Sequence, residues 1–187
     1  MDGARRQQPN RAVSMPETVG VAQVRSDPES EAVTSRISVR PFSAEDKPFL
    51  SRVAPRIHPG QTVSPRDPAA LDRFFSNLRR GGLLTKPGAE AFVATIDGEP
   101  CGLVSVHPDK DYFTGHPRAY VDILVVAAEA EGKGVARALM AHVERWARAG
   151  GFREVVLDVF AGNQRAIVFY ERQGSRPDHI RMAKPLD

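Results

Sequence analysis

Two glycines set between an apolar run and an amphipathic run constrain this chain more than any other feature. The segment reads Val125-Val126-Ala127-Ala128-Glu129-Ala130-Glu131-Gly132-Lys133-Gly134-Val135-Ala136. Residues 119–126 are apolar except for Tyr120 and Asp122, the pattern of a buried strand. From Val135 onward, Leu139, Val143 and Trp146 recur on one helical face, with Ala136, Met140 and Ala147 beside them. Arg137, Glu144, Arg145 and Arg148 take the opposite face, and Gly150-Gly151 stop the helix. The chain therefore passes from strand to helix through a glycine turn. Such a turn brings the backbone close to a ligand. The first N–H groups of the helix have no partner inside it. With the helix dipole and Lys133 they suit an anion such as a phosphate. An ordinary tight turn uses the same two glycines, so the spacing by itself leaves both readings open.

Known phosphate motifs narrow the choice. A Walker loop needs Gly-Lys-Ser/Thr after an earlier glycine, and Lys133 is followed by Gly134. The dinucleotide fingerprint needs a third glycine where Arg137 stands, although Asp158 lies at a suitable distance for a ribose-binding acid.

The rest of the chain alternates strand and helix signals. Residues 37–40 read as a short strand. A helix follows, capped by Ser43 or, given Pro48, by Asp46. Asp67-Pro68 open a second helix with Leu71, Phe74, Phe75 and Leu78 on one face and Gly81-Gly82 at its end. Runs 91–96 and 101–106 flank a turn at 97–100 and predict a hairpin. A polar loop is expected from His107 to Pro117, a strand at 154–160, a helix from the Asn163 cap to Glu171, and a last strand at 180–184. The order predicts a mixed α/β domain over 37–187.

Residues 1–36 differ. They are rich in Pro, Gln, Ser and charged residues of both signs, without periodicity, and read as a disordered tail. No apolar core of a secretory signal follows Arg5-Arg6, and no run approaches the roughly 20 residues that cross a bilayer. A cytoplasmic location without membrane contact is the expectation. Net charge is +3, from 26 Lys and Arg against 23 Asp and Glu, and the signs are interspersed. That distribution argues against nucleic acid. The single cysteine, Cys101, excludes a disulfide framework, and the five histidines show no metal-ligand spacing, so no metal is expected.

The segment 125–140, VVAAEAEGKGVARALM, resembles the acetyl-CoA loop of the GCN5-related N-acetyltransferase (GNAT) family, whose pattern Gln/Arg-x-x-Gly-x-Gly/Ala falls on Glu131, Gly134 and Ala136. A second match, N-x-x-A-x-x-F-Y-E-x-x-G, falls on Asn163, Ala166, Phe169, Tyr170, Glu171 and Gly174. The resemblance extends from Ile37 to the C-terminus. It implies a mostly antiparallel sheet flanked by helices, with a splayed strand pair at the acyl-CoA site. Two departures stand out. Glu131 replaces the usual Arg or Gln, so a carboxylate sits near the pyrophosphate unless it points away or Lys133 compensates. Ser175 replaces a common aromatic residue.

The resemblance implies an acetyltransferase that moves an acetyl group from acetyl-CoA to a primary amine of a small molecule or protein. Val126, Glu131, Gly132, Lys133, Gly134, Val135, Ala136 and Asn163 are the donor-binding candidates, the Val126 N–H polarising the thioester carbonyl. Tyr170 is the candidate general acid for the leaving thiolate. Asp122 is the candidate that accepts the proton of the amine or orients it. Burial of a carboxylate there would favour that role. Asp109, Asp111, Tyr112 and Phe113 form a loop that either faces the acceptor or is merely solvated. A non-catalytic domain of the same fold, binding acyl-CoA or a partner protein, is the rival reading. Either a monomer or a homodimer fits.

Overall fold

The structure, a computed structural model, describes residues 36–57, 69, 72, 73, 76, 85–182 and 184. The expected tail, Arg36 apart, lies outside the described residues. So does most of the helix expected after Asp67. Its described residues Ala69, Asp72, Arg73 and Ser76 are helical.

Five strands form one sheet in the order β1-β2-β3-β4-β5. β1 (Ile37–Pro41), β2 (Glu90–Ile96), β3 (Glu99–Lys110) and β4 (Pro117–Val126) are each antiparallel to the next, and β5 (Val155–Leu157) lies parallel to β4. The α-helices described over their full length are α1 (Lys47–Val53), α2 (Val135–Ala149) and α3 (Gln164–Arg172). This is the mixed, mostly antiparallel architecture expected.

Strand register shows which face each helix covers. Gly102 pairs with Ala94, and a Cβ on Gly102 would lie 2.6 Å from a Val135 methyl, so α2 packs against that face with a closeness only glycine allows. The Trp146 indole of α2 donates to Glu90 at 2.8 Å on the same face. On β1, Val39 is opposite Ala94, so Arg40 points to the other face. There Arg40 makes two 2.7 Å hydrogen bonds to the buried Asp46 carboxylate. Asp46 also accepts from the Ser43 N–H at 2.8 Å, and Arg40 holds its carboxyl below the usual range. Residues 44–46 form a 3₁₀ turn, and Asp46 is the N-cap of α1, which leaves Pro48 harmlessly in the first turn. Phe49, Leu50 and Val53 of α1 enter the same core as Leu103, Val106, Leu139 and Val143.

Three expectations change. The hairpin turn is shorter than 97–100: Asp97 and Gly98, both at positive φ, form a two-residue turn and β3 begins at Glu99. The polar loop expected from 107 to 117 is mostly strand. β3 continues to Lys110 and β4 begins at Pro117, leaving only residues 111–116 as a turn. Arg118 explains this: from β4 it donates to Asp109 and Asp111 at 2.9 Å each, so polar residues close the hairpin by ion pairing. The strand expected at 154–160 spans only Val155–Leu157, and residues 180–182 form no strand. Ile180 and Met182 stand exposed there.

Candidate active site

The sheet opens where β4 leaves β5. Their parallel pairing covers Ala119–Val155, Tyr120–Val156 and Val121–Leu157, and then ends. β4 runs on to Val126, and beyond Val121 this edge has no strand partner among the described residues. On its other edge Ala127 donates to the Cys101 carbonyl at 2.9 Å, so the neighbouring pair Gly102–Val126 is a non-hydrogen-bonded one. The Val126 N–H and C=O therefore face the open edge. Arg56, at the end of a 3₁₀ turn (Ala54–Arg56), donates from Nε to that carbonyl at 2.9 Å, and the N–H has no backbone acceptor among the described residues.

The glycine turn follows directly. Gly132 and Gly134 have φ of 76° and 85°, the left-handed region that glycine adopts without strain. The first backbone bond of α2 runs from Ala138 to the Gly134 carbonyl at 3.0 Å. Among the described residues, the N–H groups of Gly132, Gly134, Val135, Ala136 and Arg137 are spent on no backbone acceptor. Lys133 is exposed beside them, while the Val135 side chain is buried against β3. Glu131 does not hang free over this cradle. It is tied to Arg165 of α3 at 2.7 Å and to Arg56 through its other oxygen. Arg165, and then Arg56, hold its carboxyl below the usual range.

Side chains of three segments meet at the other end of the opening. Ser105 pairs with Ile123 and Val106 with Val121, so Asp122 is the extra residue of a β-bulge. Asp122 is not deeply buried: about 26% of its side chain is exposed. Its Oδ2 lies 2.7 Å from Nδ1 of His107, which is buried on β3. His107 pairs with Tyr120, whose ring centroid is 5.1 Å away. Burial pushes the Tyr120 hydroxyl well above its ordinary pKa, and its hydrogen bond to Asp158, just past β5, acts in the same direction. Nothing in local spacing singles out His107 or Tyr120, and spacing marks Asp158 only as a ribose-binding candidate. The hairpin register, had it been extended past Val106, puts His107 opposite Tyr120.

Tyr170 of α3 packs against the core edge-to-face with Phe169, and burial pushes its pKa up to about 12. Asn163 is the N-cap of α3: its Oδ1 accepts from the Ala166 N–H at 3.2 Å, which leaves only its amide N–H₂ to donate elsewhere. The carboxylates of the 111–116 turn are spent. Asp111 accepts from the Phe113 and Thr114 backbone and from Arg118, and Asp109 is paired with Arg118. They offer no free charge to an acceptor, which favours the solvated-turn reading. Among the described residues there is no cluster of three metal-ligating side chains, and no helix is long and apolar enough to cross a membrane.

The family model described as the acetyltransferase (GNAT) family matches residues 54–174. The chain belongs to the GNAT family. It is similar to N-acetyltransferase 8 of Mus musculus, 32% identical over 128 residues that cover 68% of this chain and 50% of that protein. It is also similar to aminoglycoside N(6')-acetyltransferase type 1 of Stenotrophomonas maltophilia, 35% identical over 38% of this chain and 48% of that one. The chain thus spans half or less of the length of these curated relatives. Among solved GNAT-fold structures, glucosamine-6-phosphate N-acetyltransferase from Arabidopsis thaliana aligns with a TM-score of 0.55 and 21% identity, over 81% of this chain and 99% of that one. AAC(6')-Iy in complex with a bisubstrate analog aligns at 0.58 and 19%, again over 81% and 99%. At these identities the structural matches speak for the fold.

Proposed function

We propose that this GNAT protein transfers an acetyl group from acetyl-CoA to a primary amine by direct attack. The observation that carries the reading is the unpaired edge of β4, which aims the unspent Val126 N–H into an opening that ends at unspent backbone donors. The N–H groups of Gly132, Gly134, Val135 and Ala136 suit a pyrophosphate, Lys133 adds positive charge, and the Asn163 amide N–H₂ is a further donor candidate. The Val126 N–H suits the thioester carbonyl, where it stabilises the oxygen as negative charge develops.

At the other end Asp122 and Asp158 draw in an ammonium group. Asp122 accepts its proton, directly or through a water, while His107 holds Oδ2 and leaves Oδ1 for the acceptor. The freed amine attacks the acyl carbon. A C–N bond forms, the C–S bond breaks, and Tyr170 gives its hydroxyl proton to the departing thiolate. The surplus proton on the new amide nitrogen then restores Tyr170, and Asp122 loses its proton to solvent. With a pKa near 12, Tyr170 is protonated throughout the neutral range. Transfer to a thiolate of ordinary pKa, about 8.5, is uphill. Its contribution is therefore largest as a hydrogen bond formed while the C–S bond breaks.

The rival, a non-catalytic acyl-CoA-binding domain, drew its support from Glu131. Two arginines on that carboxylate remove most of the force of the objection. The Stenotrophomonas maltophilia relative is named for aminoglycosides, so those polyamines join simple amines and peptide N-termini in the acceptor screen. A cytoplasmic monomer or homodimer, working without metal, nucleic acid or membrane, completes the proposal.

The test is release of coenzyme A thiol across that screen, with Tyr170→Phe as the control. The variant should lower kcat by about a hundredfold or more and leave coenzyme A affinity unchanged. An unchanged kcat removes Tyr170 from the mechanism. Coenzyme A binding without product from any amine points to the rival.

A further inference from the structure

Glu131 links three segments that are far apart in sequence. One oxygen meets Arg56 after α1, and the other meets Arg165 in the first turn of α3 at 2.7 Å. Arg56 at the same time holds the Val126 carbonyl, on the edge whose N–H faces the thioester position. The carboxylate immediately precedes Gly132, so it lies beside the unspent N–H groups of the cradle. Two guanidinium groups against one carboxylate leave a net positive charge, and exposed Lys133 adds to it.

We propose that Glu131 is a built-in counter-ion that occupies Arg56 and Arg165 until the phosphates of the donor displace it. The inference rests on the acetyl-CoA reading above. Three physical points support it. The pairs are partly exposed, and pairs of that kind are weak and exchangeable. A guanidinium fits phosphate with two parallel hydrogen bonds, and a dianionic group competes well for it against one carboxylate. Finally, a carboxylate left in place next to the cradle repels the same phosphates at short range. The exchange also has a structural consequence. Arg165 and Tyr170 share α3, so phosphate taken up by Arg165 ties the helix that carries the acid to the bound donor. Donor binding then precedes productive acceptor binding.

Calorimetric titration of the full chain with coenzyme A tests this. Glu131→Gln should tighten coenzyme A by about tenfold, the size expected when two such pairs are released. It should leave the affinity for pantetheine, which carries no phosphate, unchanged. Arg165→Gln should weaken coenzyme A, and Glu131→Gln should gain less in the Arg165→Gln background, because one of the released cations is gone. Thermal unfolding without ligand checks that each variant is folded, and Glu131→Ala repeats the test if Glu131→Gln is not. Equal or weaker coenzyme A binding in a folded Glu131 variant overturns the proposal and makes Glu131 a scaffold for the arginines. Equal tightening of pantetheine overturns it as well. Absence of coenzyme A binding in the wild-type protein is a different failure, because it defeats the acetyl-CoA reading itself.

Discussion

The two ends of the β4 opening are built from different materials. The proposed donor end is contiguous, residues 126–137, and its candidate groups are backbone N–H donors. The proposed acceptor end takes side chains from β3, β4 and the segment after β5, and of His107, Tyr120, Asp122 and Asp158 only Tyr120 and Asp122 share a strand. A backbone site constrains φ and leaves side chains free to vary. That is how a glutamate is tolerated at position 131, provided other elements neutralise it. A side-chain site constrains register, because a one-residue slip turns its groups to the other face. The bulge at Asp122 is such a register device: it is the extra residue that turns the carboxylate toward His107.

Substitutions should separate the two ends. The largest effect belongs to the acceptor end. Asp122→Asn should reduce kcat/KM for the amine by about a hundredfold and leave the calorimetric affinity for coenzyme A unchanged. His107→Leu should follow it in direction with a smaller loss, and His107→Asn, which keeps a donor near the position of Nδ1, should recover part of it. If coenzyme A affinity falls in parallel, the two ends are not separate. At the donor end the opposite pattern is expected. Gly134→Val places a β-branched residue at φ 85°, a strain of about 2 kcal/mol. Relief of that strain moves the N–H groups and should weaken coenzyme A by about thirtyfold, with the amine KM at saturating donor little changed. A normal affinity would mean that the cradle does not hold the donor. The smallest effect concerns stability. Ser105, beside the bulge, has a fully buried hydroxyl with no hydrogen-bond partner among the described residues. Ser105→Ala should raise unfolding free energy by about 1 kcal/mol, measurable as a higher Tm. A drop in Tm would show that the hydroxyl is satisfied in solution.

The same contrast explains what could be read in the sequence. The glycine turn, α2 and the Asn163 cap of α3 were legible because each is a local pattern: φ demand, apolar periodicity, a capping side chain. The Asp97-Gly98 turn was legible for the same reason, although the second strand begins two residues earlier than expected, at Glu99. The extended hairpin was not. Its strands carry His107, Pro108, Asp109 and Lys110 against Arg118 and Tyr120, so composition suggests a loop, and only the cross-strand pairing of Arg118 reveals a ladder. The strand expected at 180–184 fails in the opposite sense over its described residues. Ile180 and Met182 alternate as a strand should, but alternation supplies no partner, and among the described residues none is paired with them. His107 carries no local signal because it opens a polar stretch that reads as a loop. Its partner lies fifteen residues away across a bulge.

The most direct test of the account is thermal unfolding of the protein with coenzyme A, acetyl-CoA, ATP and NADPH in parallel. A ligand present at about a hundred times its Kd adds roughly 2.7 kcal/mol, several degrees for a domain of this size. The account predicts a rise in Tm with the two coenzyme A species and none of that size with ATP or NADPH. A folded protein that ignores coenzyme A and acetyl-CoA, or responds equally to all four ligands, would contradict it.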